Sequence, residues 1–211
     1  MKPFLTEILA CPIDKAFPLD IFIFQWEEPE PAVLEFFQSP TMELARAAFE
    51  KPLIDTAESD SGEFLASDQI VLGKKPFAEY LALVIEKIHE LEVFRDTTEG
   101  LLVDVLACIL GDIRDHVAQA ISALEHNGSP QELFAELELD LTFLNAYKQR
   151  VEVEQGLLRC TQCQRWYPIV ETIPQMLPDN LRNEKRELEF LTTWQDRLPE
   201  DIPTGGFPFH L

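Results

Sequence analysis

The spacing of apolar residues along this chain changes period twice, dividing it into a β-like start, a long helical middle and a mixed end. Phe17 to Trp26 (Phe-Pro-Leu-Asp-Ile-Phe-Ile-Phe-Gln-Trp) is rich in β-branched and aromatic residues, which predicts a strand. Leu19, Ile21 and Ile23 fall on one face, and Phe22, Phe24 and Trp26 on the other. A strand with one wet face would alternate polar and apolar, so both faces are expected to be covered. The chain's own helices are preferred to a partner as that cover.

After the acidic, proline-containing break at Glu27 to Pro31 the spacing becomes helical. Val33, Phe36, Phe37, Leu44, Ala48 and Phe49 approximate helical spacing over 32–51, interrupted near Ser39-Pro40. Ser59 to Gly62 reads as a polar loop. A helix over 76–94 carries an apolar stripe of Phe77, Leu81, Val84, Ile85, Ile88 and Leu91. A longer helix is predicted over 98–126, stopped by Asn127-Gly128. Ser129, Pro130 and Glu132 then supply a cap, a first-turn proline and a capping box for a helix reaching Gln149.

Strand character returns over Val151–Leu158 and Trp166–Val170. Pro178-Asp179 leads a last helix over 180–197, with Leu181, Leu188, Phe190, Leu191 and Trp194 as its apolar positions. The Pro/Gly-rich tail, 203–211, carries Phe207 and Phe209 and reads as a frayed end in preference to a docking segment. The expected class is α+β. A small β domain formed by 1–31 and 151–211 is interrupted by an inserted four-helix domain, 32–150, and ends in a C-terminal helix.

Composition narrows the function. A 46% hydrophobic content across 211 residues supports a packed core and argues against disorder. No apolar run approaches the ~20 residues of a membrane helix, and Met1 to Ala10 lacks a signal-peptide pattern. Four cysteines fit a reducing cytoplasm better than a disulfide framework. The net charge of −21 would repel a polyanion, so direct nucleic-acid binding is not expected. The same charge suits solubility, or an acidic subunit that meets a basic partner.

The candidate chemistry lies in two short segments far apart in sequence. Cys160-x-x-Cys163 reads as half a zinc knuckle, as a redox dithiol, or as a turn without metal. A redox dithiol should open a helix, and Trp166, Tyr167 and Pro168 disfavour one there. Cys11 and Asp14 repeat the spacing, so Cys11, Asp14, Cys160 and Cys163 can form a Cys₃Asp zinc set. Asp14 can instead cap its turn through backbone amides. Cys108, within Leu106-Ala107-Cys108-Ile109-Leu110, reads as core packing. His89, His116, His126 and His210 share no ligand spacing. The pair His89 and Glu86 reads as a solvated helical face. No phosphate loop, G-x-S-x-G elbow or HExxH is present, and no catalytic constellation is visible.

Read together, the two segments resemble the tRNA methyltransferase 112 homologue family. The matching residues are Leu5, Ile8 to Lys15 (Ile-Leu-Ala-Cys-Pro-Ile-Asp-Lys), Gly156-Leu157-Leu158-Arg159-Cys160-x-x-Cys163, Tyr167-Pro168-Ile169 and Ile173-Pro174-x-Met176-Leu177. The resemblance implies a zinc-ribbon-like β domain that accepts a helical insertion, and no catalysis of its own. It implies a heterodimer with class I, S-adenosylmethionine-dependent methyltransferases that modify tRNA, rRNA or release factor. The subunit would cover an apolar sheet edge of the enzyme, with Ile169, Ile173, Pro174, Met176 and Leu177 as the partner-binding residues. Three departures stand out: Asp14 where zinc-binding members have cysteine, Val170-Glu171-Thr172 where a glycine is usual, and a longer insertion. Two other readings remain beside this one, a thiol oxidoreductase using Cys160 and Cys163, and a stand-alone adaptor acting through its acidic helical domain.

Overall fold

The computed structural model describes residues 1–211 and is an α+β protein. After a 3-10 turn at Pro3–Glu7, β1 spans Asp20–Trp26. Helices α1 (Pro31–Gln38) and α2 (Met42–Ala48) follow. They break where Pro40 cannot donate, and Thr41 caps α2 by accepting from the Leu44 amide at 3.2 Å. A hairpin of β2 (Ile54–Glu58) and β3 (Phe64–Asp68) comes next, then β4 (Lys75–Pro76), α3 (Phe77–His89) and β5 (Phe94–Asp96).

The long helix expected over 98–126 is α4 (Leu101–Cys108) and α5 (Arg114–Glu125), joined by one π segment at Ile109–Ile113. It ends at Asn127 in the left-handed region, with the Gly128 amide on the Ala123 carbonyl at 2.8 Å. Helix α6 (Pro130–Arg150) starts at the Ser129 hydroxyl, which accepts from the Glu132 amide. Then come β6 (Val153–Arg159), β7 (Trp166–Val170), β8 (Ile173–Pro174), α7 (Glu184–Thr193) and the short α8 (Ile202–Gly205).

The chain forms two compact units, Met1–Glu28 with Val93–Glu99 and Val151–Leu211, and Pro29–Glu92 with Gly100–Arg150. The sequence reading assigned all of 32–150 to the insertion, but Val93–Glu99 belongs with the first unit. The reason is β5, which pairs in parallel with β1 through Ile21–Phe94 to Ile23–Asp96. The Thr97 hydroxyl and the Trp26 indole N–H fix it further, at 2.7 Å to the Ile23 carbonyl and 2.7 Å to Asp96 Oδ2.

The first unit is built on a five-stranded sheet of order β5-β1-β6-β7-β8, antiparallel apart from the β1–β5 pair. Gly156 of β6 is required by close approach, since a Cβ there would lie 2.6 Å from the Phe22 carbonyl oxygen. Helices α7 and α8 cover the aromatic face of the sheet. Phe22, Phe24, Leu157 and Trp166 pack with Phe190, Leu191 and Ile202, so the cover of this face is the chain's own. The predicted last helix is shorter than 180–197, because 3-10 turns at Asp179–Leu181 and Gln195–Arg197 replace its ends.

The C-terminal tail is docked, which corrects the expectation of a frayed end. The Trp166 indole N–H donates to the Phe209 carbonyl at 2.9 Å, and the Arg182 guanidinium lies within 6 Å of the Trp166, Tyr167 and Phe209 rings. Arg182 is buried and held by both carboxylate oxygens of Glu187.

The second unit holds α1 to α6 and a three-stranded sheet of order β2-β3-β4 that the four-helix expectation lacked. Those strands are short, and only Ile54 and Ala66 among them are buried, so no alternating run announces them. Two polar clusters organise its interior. The Asp68 carboxylate accepts from Tyr80, Asn145 and the Ile70 and Val71 amides. The fully buried Lys148 ammonium donates to Glu90 at 3.0 Å and to the Lys87 carbonyl at 3.1 Å.

Candidate functional site

Two turns of the same construction meet in the first unit. In the N-terminal one the Cys11 amide donates to the Ala16 carbonyl at 3.0 Å and the Lys15 amide to the Cys11 carbonyl at 2.9 Å. In the other, between β6 and β7, the Cys160 amide donates to the Arg165 carbonyl at 2.8 Å and the Gln164 amide to the Cys160 carbonyl at 3.1 Å. Lys15 and Gln164 occupy matching positions and both take a left-handed φ, 64° and 57°. Each turn thus aims its first and fourth side chains the same way.

Those four side chains are Cys11, Asp14, Cys160 and Cys163, and their donor atoms all lie within 4.8 Å of one another. Cys11 Sγ is 3.6 Å from Cys163 Sγ, and Cys160 Sγ is 3.4 Å from Asp14 Oδ2. Zinc–sulfur bonds of about 2.3 Å place tetrahedral ligands about 3.8 Å apart, close to the 3.6 and 3.4 Å of these two pairs. Three thiols and one carboxylate can therefore hold a metal. Asp14 Oδ1 also accepts from the Ala16 amide at 2.9 Å, so the turn-capping role is present, while Oδ2 faces Cys160.

Electrostatics separate the four. Asp14 is held down at about 2, first by the Ala16 amide and then by the thiols that donate to it. Burial pushes Cys160 up to about 12. Burial pushes Cys11 the same way, but the amides of Asp14 and Ile13 and the Tyr167 hydroxyl, 3.3 Å away, outweigh it and leave its value lowered. The first thiol of Cys160-x-x-Cys163 is thus the reverse of an activated one, and the turn leads into β7 instead of a helix. Neither feature suits a dithiol oxidoreductase. Tyr167, read in the sequence only as a strand and family-motif residue, supports the cluster with its hydroxyl from the neighbouring strand.

The outermost strand of the sheet is β8, at the opposite edge from β5. Of the residues expected to meet a partner, Ile173 is 63% and Leu177 42% exposed, while Pro174 and Met176 are half-buried. Ile169 does not belong with them: it is fully buried inside β7, paired with Gly156 and Pro174. The turn into β8 is made without the usual glycine. Glu171 and Thr172 both have left-handed φ values, 48° and 65°, as the two-residue turn of a right-twisted hairpin demands. The Thr172 amide is anchored on the Glu154 carbonyl at 3.1 Å.

The remaining candidates carry no site. His89 and Glu86 are exposed on α3, and Cys108 is half-buried instead of fully packed, with burial and nearby Asp112 and Asp140 raising its thiol. His116 pairs only with Asp140, at 2.7 Å. No helix is long and apolar enough to cross a membrane.

A sheet split between the two ends of a chain, closed by two facing cysteine turns and interrupted by a second unit, defines a ribbon-like scaffold with an insertion. A family model described as Trm112p-like protein matches residues 2–171, and the chain belongs to that family. Membership makes it a methyltransferase-activating subunit in general terms, in a family of activators rather than enzymes. No curated protein and no solved structure matches the chain.

Proposed function

We propose that this protein is the non-catalytic subunit of a heterodimer with a class I, S-adenosylmethionine-dependent methyltransferase acting on tRNA, rRNA or release factor. The observation that carries this reading is the exposed apolar edge at β8, in a chain of the Trm112p-like family. Ile173, Pro174, Met176 and Leu177 lie against an apolar edge of the enzyme's sheet and keep it from water. Burial of exposed Ile173 and Leu177 removes a solubility liability from both partners at once.

Cys11, Asp14, Cys160 and Cys163 are the residues that hold zinc in this reading. Zinc supplies a redox-inert tetrahedral cross-link when bound, with no open position for chemistry. The two turns then tie the N-terminal segment to β6 and β7 and fix the sheet whose edge meets the enzyme. The −21 charge fits a subunit that leaves nucleic-acid contact to its partner.

Co-expression with the class I methyltransferases of the same genome, followed by affinity capture on the full chain, tests the proposal. Capture of one such enzyme is expected, with a gain in its soluble yield. Failure to capture any of them, when both proteins are folded, overturns it.

A further inference from the structure

The outer edge of β7 is taken up along its whole length by two separate pieces of chain. At its end, Val170 and Ile169 pair with Ile173 and Pro174 of β8. In its middle, the Pro168 carbonyl accepts from the Gln175 amide at 2.8 Å. At its start, the Phe207 amide donates to the Gln164 carbonyl at 3.1 Å, and the Trp166 amide donates to the Phe207 carbonyl at 3.2 Å. The fifth strand is therefore split between the segment after β7 and the C-terminal tail. The family match ends at residue 171, so the tail lies outside it.

This tail is firmly seated and yet presents an apolar face. Ile202 is buried, and a Cβ on Gly206 would meet the Ile202 carbonyl at 2.9 Å and Trp166 Cδ1 at 3.0 Å. Phe207 is nonetheless 54% exposed, with the Arg165 guanidinium 6.0 Å from its ring centroid. The same Arg165 grips the Asp179 carboxylate through hydrogen bonds of 2.8, 3.1 and 3.2 Å. Leu177 and Leu181, both exposed, flank Asp179 in the chain. Arg165 thus gathers Phe207 with the Leu177–Leu181 turn around one neutralised ion pair.

We infer that the C-terminal segment completes the partner-binding edge. Phe207 enters the interface as an aromatic anchor, with Leu181, beside Ile173 and Leu177. The occupant is the same methyltransferase, so the inference rests on the reading above. Charge describes the surface it must bring. Arg165 is neutralised by Asp179, and Arg159 by Asp20 and Asp201, and the exposed charged residues close to these in the chain include Glu171, Glu184 and Glu200 against Arg186, an acidic balance. An apolar strip with an acidic rim fits an apolar strand flanked by Lys and Arg.

The test titrates the methyltransferase captured by the wild-type chain against full-length Phe207→Glu, Leu181→Glu and Ile173→Glu, with thermal melts confirming that each variant is folded. Phe207→Glu and Leu181→Glu are each expected to weaken binding about 30-fold or more, and the wild-type affinity should fall with salt. If Phe207→Glu fails to fold, Leu181→Glu decides. Wild-type affinity for Phe207→Glu and Leu181→Glu, with binding lost only in Ile173→Glu, overturns the inference and leaves the proposed function standing. Tighter binding by Phe207→Glu would mean that the tail competes with the partner, and also overturns it. No capture of any methyltransferase, or no effect of Ile173→Glu, removes the proposed function and this inference with it.

Discussion

Replacing Thr172 by glycine should stabilise the first unit. Thr172 sits at φ 65°, where an L-residue's Cβ crowds its own backbone at a cost of about 1–2 kcal/mol, and β-branching places it towards the upper end. Glycine removes that clash but has more freedom to lose on folding, which takes back about 0.5–1 kcal/mol. The Thr172 amide remains able to donate to Glu154, so the net expectation is a gain of about 1 kcal/mol. For a chain of this length that is a rise of about 2–4 °C in Tm. Tryptophan fluorescence is the assay of choice, because Trp26, Trp166 and Trp194 all lie in the first unit. Its transition should move up in Thr172→Gly, with an unchanged urea m-value. A neutral or lower midpoint would refute the left-handed turn and, with it, the register that exposes Ile173.

Other outcomes follow from the same geometry. The purified wild-type chain should carry one zinc per molecule by elemental analysis, and Cys160→Ser should lose it and melt at a lower temperature; full zinc retention in the variant would exclude Cys160 as a ligand. In the second unit, Glu90→Ala leaves the buried Lys148 ammonium without its carboxylate and should cost about 3–5 kcal/mol by urea unfolding, whereas Lys148→Met should be much milder; equal effects would refute the pairing. The Arg165 fork holds Asp179 below the usual carboxylate range, so its stabilisation is present above the unfolded value near pH 4 and is lost as pH falls through the folded one. Asp179→Asn should therefore flatten the acid limb of the stability curve, and parallel curves for variant and wild type would contradict that pairing.

The parts of this molecule that were legible in the sequence are those dictated locally. Ser129-Pro130 and Asn127-Gly128 bound α6 and α5 because caps and left-handed stops are properties of a few adjacent residues. The two cysteine turns were readable for the same reason, and their meeting depended on the order of flanking residues. What stayed hidden was decided at a distance. Phe94 continues the apolar spacing of the helix before it, and only β1, far upstream, makes Phe94–Asp96 a strand. Ile169 and Ile173 are both β-branched and apolar, yet one is core and the other surface, because the turn at Glu171-Thr172 folds β8 to the edge. The tail reads as loose from its prolines and glycines, while its anchors, Trp166 and Arg182, lie elsewhere in the chain.

The central claim is that this chain enables a methyltransferase and performs no chemistry itself. S-adenosylmethionine titrated calorimetrically into the enzyme alone and into its complex with the full chain tests that most directly. The account predicts saturable binding, about one cofactor per heterodimer, in the complex, with weak or no binding by the free enzyme and none by the chain alone. Equal binding by the free enzyme and the complex, with the chain bound, would contradict it.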